Sequence, residues 1–218
     1  MKLYRLAPIL LGACPVSSLV ERRTGPKYAL SMSSSSSSTG VTGKKLRLGL
    51  CQISVGSDKD KNIDKMKQMV TEAQSKGAEM ISLPECWNSP YSTAAFPKYA
   101  EYLPKVGENP SVEKSPSTFA LCATAKNLGV WLIGGSIPER ETKQNVERLY
   151  NTCLVINPAG EIVGKHRKVH LFDIDVPGKI TFKESDSLTA GEDATVVQTP
   201  WGGVGTASVA YSSFLRQS

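Results

Sequence analysis

An α/β fold with a parallel sheet segment is what this 218-residue chain predicts, on three observations. From Lys45 onward, short apolar runs alternate with stretches of helical periodicity. Two later apolar runs are joined by a hairpin signal, which adds an antiparallel portion. Residues 1–43 are Ser-rich, Arg-bearing and acid-poor, with an unbroken serine run from Ser33 to Ser38, so they offer too little apolar area to offset chain entropy. The fold is therefore sought after that leader.

The elements are justified in order. LRLGLCQISV (46–55) reads as a buried strand. A helix from Asp58 to Ser75 follows, because Ile63, Met66, Met69, Val70 and Ala73 recur at helical spacing and Gly77 stands as a stop. AEMISLPE (78–85) is a second strand ended by Pro84. Ser115-Pro116 signals the start of a helix that runs to Asn127, with Gly129 as its stop. VWLIGGS (130–136) is a third strand. LYNTCLVINP (149–158) and EIVGKHRK (161–168) are strands joined by the turn Pro158-Ala159-Gly160. Strand, helix, strand, helix, strand implies right-handed parallel crossovers.

Composition narrows the function classes. With 40% hydrophobic and 21% charged residues, 18 Gly and 13 Pro, the chain is neither collagenous nor a coiled coil. The net charge of +6 sits mostly in the leader, where Lys2, Arg5, Arg22, Arg23 and Lys27 face only Glu21. The remainder balances 21 basic against 19 acidic groups, which argues against nucleic acid as a partner. The leader (1–44) has the composition of an organelle transit peptide. A secretory signal is the competing reading and a flexible tail the plain one. The moderately apolar stretch from Leu6 to Val20 is broken by Pro8 and Pro15 and is too short to span a bilayer, so no membrane partner is expected. Cys14 lies in the leader. Cys51, Cys86, Cys122 and Cys153 lack the paired spacing of a disulfide framework or zinc site and predict a reducing compartment, with Cys51, Cys122 and Cys153 buried in apolar runs.

In open α/β sheets, chemistry gathers beyond the carboxyl ends of strands. Glu85 follows the second strand in Leu83-Pro84-Glu85-Cys86-Trp87, presented from a Pro-stiffened elbow beside an indole and suited to act as a general base. The plain alternative is a solvated loop acid. Lys168 closes the run Lys165-His166-Arg167-Lys168. Such a run is usually a solvated face or a small anion patch, but strand alternation places Lys168 and His166 on one face and Arg167 on the other. One lysine can then point inward as a fixed charge for an oxyanion.

LPECWNSPYST (83–93), GKHRKVHLFDIDVPGKITFKESDSLTAGE (164–192) and LRLGLCQISV together resemble the nitrilase superfamily of carbon–nitrogen hydrolases, within it the omega-amidase branch. The long segment from Gly164 to Glu192 is the most specific part. The resemblance implies an αββα sandwich and subunits that pair as homodimers. It implies a Glu–Lys–Cys triad without metal or cofactor, acting on the amides of 2-oxo acids (2-oxoglutaramate, 2-oxosuccinamate). By the same resemblance Glu85 is the general base, Lys168 the oxyanion partner, and Glu184 the second acid that orients substrate and lysine. It also favours a chloroplast destination, with mitochondrion or cytosol as alternatives.

The resemblance covers about residues 45–205, so the domain is expected to be incomplete on its C-terminal side, with 206–218 an aberrant tail. Where the family carries its cysteine after a Val-Gly pair, this chain reads Val204-Gly205-Thr206-Ala207-Ser208-Val209. Val209 stands at the nucleophile position and has no ionisable atom. Ser208 is adjacent, but a strand neighbour points the other way. Ala-Ser-Val is also what codons for Gly-Ile-Cys yield when read one nucleotide late, which suggests a shifted frame from about residue 206. Three readings result: a family member inactive in this form, a non-catalytic partner of a nitrilase-fold dimer, and an anion- or nucleic-acid-binding module.

Overall fold

The computed structural model describes residues 45–206. The leader up to residue 44, Ser208 and Val209 lie outside the described residues. A five-stranded mixed sheet is ordered β1 (Leu48–Leu50), β2 (Met80–Ser82), β3 (Trp131–Lys143), β4 (Val146–Ile156), β5 (Ile162–Arg167). The first three strands are parallel, and β3, β4 and β5 pair antiparallel. Helices α1 (Lys59–Ser75) and α3 (Pro116–Leu128) supply the crossovers, and a short α2 (Phe96–Tyr99) lies between them in sequence. Two hairpins follow: β6 (Asp173–Val176) with β7 (Ile180–Lys183), and β8 (Thr195–Thr199) with β9 (Gly202–Thr206).

The local chemistry accounts for these elements. Asp58 caps α1 by accepting a hydrogen bond from the Lys61 amide, and Gly77 (φ +85°) turns the chain toward β2. Ile63, Met66 and Val70 on α1 and Leu121 and Ala125 on α3 bury against Ile81, Leu132, Leu154 and Ile156 of the sheet, so both helices share one core. The expected N-cap of α3 works differently. Ser115 occupies the cap position but its hydroxyl donates to Ser111, and the buried Glu101 carboxylate takes the Ser117 amide instead (3.1 Å).

Strand lengths depart from the sequence reading in both directions. The first two strands shrink to three residues each, whereas β3 runs seven residues beyond the expected Ser136 and β4 begins three before Leu149. A two-residue turn at Gln144 and Asn145, both at positive φ (52° and 59°), joins them. Pro138 and the charged residues that follow it hide this hairpin from hydropathy. Val197 of β8 packs over Gly164 of β5, where a Cβ would come within 2.5 Å of its methyl. Among the described residues, no helix is long and apolar enough to cross a membrane.

Candidate active site

The elbow after β2 is built against a bulge in β3. Pairing of β3 with β4 slips between Ile133 and Ser136, and Gly135 there adopts φ +60°, with Pro84 O so close that an added Cβ would sit 2.2 Å from it. Ser136 then serves the elbow three ways: its amide donates to Pro84 O (3.2 Å), its hydroxyl accepts from the Cys86 amide (3.0 Å), and its carbonyl accepts from the Trp87 amide (3.3 Å). The Trp87 indole, fully buried, donates to Gly134 O (2.7 Å). Cys86 itself sits at φ +49°, so the strand stops abruptly and Glu85 is held at the sheet's carboxyl end.

Lys168 follows β5 directly. Its amide donates to Asn151 O and its carbonyl accepts from Gly191 N, both at 2.8 Å, so its backbone is fixed on two sides. The side chain is 1% exposed, and its Nζ lies 2.9 Å from Glu85 Oε1 and 2.8 Å from Glu184 Oε2. Glu184, wholly buried, opens the 3₁₀ turn after β7. It accepts from the Tyr91 hydroxyl (2.6 Å) and the Phe172 amide (2.7 Å). Tyr91 packs edge-on to Phe96 and stacks on Phe182, which brings the β6–β7 hairpin to the site. The structure thus unites all three residues singled out: Glu85, Lys168 and Glu184.

Electrostatics follow from this packing. Burial disfavours the Lys168 charge, but the hydrogen bonds and charges of Glu184 and Glu85 outweigh it and raise the ammonium above the usual lysine range. Burial, then the bond to Glu184, pushes the Tyr91 phenol up, so it stays a donor. Burial raises the Cys86 thiol well above the ordinary range and that of Cys153 to about 12. Both are poor nucleophiles. Among the described residues, no group of three or more His, Cys, Asp or Glu side chains is placed to hold a metal ion.

The neighbouring basic residues do something else. Arg167 reaches Glu139 (2.7 Å) and Glu141 (2.9 Å) and lies 3.8 Å over the Tyr150 ring; Lys165 pairs with Glu139 at 2.7 Å. The run is therefore not an open anion patch. Sequence reasoning missed Asn151, whose Nδ2 donates to Glu85 Oε1 at 2.7 Å, and the part played by Tyr91. The Gly134-Gly135 pair was a readable sign of the bulge.

At the carboxyl edge of a mixed α/β sheet, the structure thus clamps a buried ammonium between two carboxylates. Residues 47–214 match the carbon–nitrogen hydrolase family, and the chain belongs to that family, with the fold of the nitrilase superfamily. It is 53% identical over 161 residues to the chloroplastic omega-amidase of Arabidopsis thaliana, covering 74% of this chain and 41% of that protein. Identity to omega-amidase NIT2 of Xenopus tropicalis is 48%, over 74% of this chain and 53% of the relative. Among solved structures it is similar to Nit3 of Saccharomyces cerevisiae, a nitrilase-superfamily member, with 34% identity and a TM-score of 0.62 over 73% of this chain and 54% of that one. An amidase from Nesterenkonia sp. shares the fold at 19% identity and a TM-score of 0.53, over 73% of this chain and 54% of that one. The chain spans about half the length of the curated relatives it matches.

Proposed function

We infer that the chain carries the acid–base half of an omega-amidase site, built to cleave the carbon–nitrogen bond of a 2-oxo acid omega-amide. The observation that carries this reading is the Lys168 ammonium, buried between Glu85 (2.9 Å) and Glu184 (2.8 Å). In the reaction, Glu85 takes the proton of an attacking thiol and the thiolate sulfur bonds to the amide carbon. The Lys168 ammonium stabilises the negative oxygen of the tetrahedral adduct. Glu184, fixed by Tyr91 and the Phe172 amide, keeps that ammonium charged and aimed. Glu85 returns the proton to the leaving nitrogen, ammonia departs, and water hydrolyses the thioester to the dicarboxylate.

This chain does not complete that sequence by itself. Val209 stands where the resemblance puts the thiol, and the buried Cys86 and Cys153 do not replace it. The second reading, a non-catalytic partner that pairs with a complete subunit, is favoured by this one residue. Leader composition and likeness to a chloroplastic relative support a plastid destination.

The test is ammonia release from 2-oxoglutaramate and 2-oxosuccinamate by the purified chain and by Val209→Cys. The chain is expected to release none above a buffer blank; turnover abolished by Lys168→Met would overturn the assignment of Val209. Co-purification with a full-length family member decides for the partner reading.

A further inference from the structure

We propose that Asn151 is a positioning residue that sets the Glu85 carboxylate against the Lys168 ammonium; the proposal rests on the reading of Glu85 and Lys168 as the acid–base pair. Asn151 lies in β4, 2% exposed, and acts on both members. Its side-chain Nδ2 donates to Glu85 Oε1 (2.7 Å), the same oxygen that Lys168 Nζ approaches at 2.9 Å. Its backbone carbonyl accepts the Lys168 amide (2.8 Å). Lys168, just after β5, and Asn151, in β4, converge on one Glu85 oxygen. A donor carried on a rigid strand helps to define where that oxygen points, and a general base is only as good as the aim of its oxygens.

Asn151 Oδ1 is buried and finds no hydrogen-bond partner among the described residues, a cost that an apolar residue of similar shape would avoid. The amide cannot be turned over to relieve this, because its oxygen would then face the carboxylate. What the residue supplies is the donor to Glu85. The neighbouring Thr152, by contrast, donates to Glu139 (2.6 Å) in the separate ion-pair cluster.

The experiment reads hydrogen exchange of the Lys168 ammonium by ¹H–¹⁵N NMR near neutral pH, in the full chain and in Asn151→Leu. It needs no turnover, so its failure leaves the amidase reading standing and a failure of turnover leaves this proposal standing. Loss of the donor is expected to speed Lys168 exchange about tenfold through local opening, while the Phe172 amide on the Glu184 arm is unchanged. Unchanged Lys168 exchange, or equal acceleration at both probes as in general loosening, overturns the proposal. A second measurement needs no change at Asn151. In Glu85→Gln the Asn151 side-chain amide protons should move upfield as a charged acceptor becomes neutral. Unmoved resonances refute the contact.

Discussion

Replacing Lys168 with methionine removes the buried ammonium that lies between two carboxylates, one of them wholly buried. At 2.8 and 2.9 Å each attraction is about 6 kcal/mol at an effective dielectric of about 20, set against the cost of taking three charged groups out of water. Breaking a buried pair from one side typically costs about 3–5 kcal/mol, because the orphaned charge stays behind. Glu85 is 24% exposed and relaxes toward water, so the lower bound of about 3 kcal/mol is the expected loss. In a chain of this size that lowers the melting temperature by about 6–12 °C. Urea unfolding of Lys168→Met, Glu184→Gln and the double variant gives a cycle. The double variant should regain at least about half of the loss, since it no longer buries an uncompensated carboxylate. A cost below about 1 kcal/mol for Lys168→Met, or no recovery in the double variant, would refute the claim that one buried ammonium holds the two acids together.

Three further outcomes are expected. The native ammonium of Lys168 titrates above its unfolded value, so its contribution is fully present below about pH 10 and is lost as pH rises through the native value. The stability difference between the parent chain and Lys168→Met should accordingly be constant from pH 7 to about 10 and shrink beyond, as read by denaturant midpoints. Glu139 runs the other way: burial opposes its charge, but Arg167 and Lys165 hold its carboxyl below the usual range. Its contribution is present above about pH 4.3 and lost as pH falls through the native value, so Glu139→Gln should flatten the acid limb of the stability profile. Gly135→Ala combines a left-handed φ of +60° with a Cβ 2.2 Å from Pro84 O, and should cost about 1–3 kcal/mol by thermal melting.

The parallel order β1, β2, β3 was legible because apolar runs and helical periodicities alternate, and the motifs that carry the family resemblance singled out three residues, Glu85, Lys168 and Glu184, that the fold brings together. The long β3–β4 hairpin was not. Pro138, Glu139, Arg140 and Glu141 fall outside every strand expected from the sequence, yet Glu139 is 1% exposed, its charge neutralised by cations from a strand two positions across the sheet. Charge pairing between strands leaves no trace in a hydropathy pattern. Asn151 was invisible for the same reason: within LYNTCLVI it stands beside Thr152 in an otherwise apolar strand, and only the fold shows that it faces a carboxylate 66 positions earlier.

Two adjacent residues show how the strand turns one basic run into two devices. Arg167, at the end of β5, reaches Glu139 and Glu141 on β3, which ties the third strand to the fifth across β4 and so holds their register. Lys168, one residue on, is turned the opposite way, into Glu85 and Glu184. A one-residue slip of β5 would carry Arg167 into the place of Lys168, putting a guanidinium between Glu85 and Glu184, and would bring His166 over the Tyr150 ring. The planar fork that matches two carboxylates on the Glu139 side is a poor substitute for the compact ammonium on the other. The arginine network therefore sets the geometry of the lysine site: anything that loosens Glu139 from Arg167 should also disturb the 2.8 Å contact between Lys168 and Glu184. In Glu139→Gln, Lys168 ammonium exchange should accelerate together with that of the Phe172 amide, whereas Asn151→Leu moves the first alone. Acceleration confined to Lys168 in both variants would show that register and aim are independent.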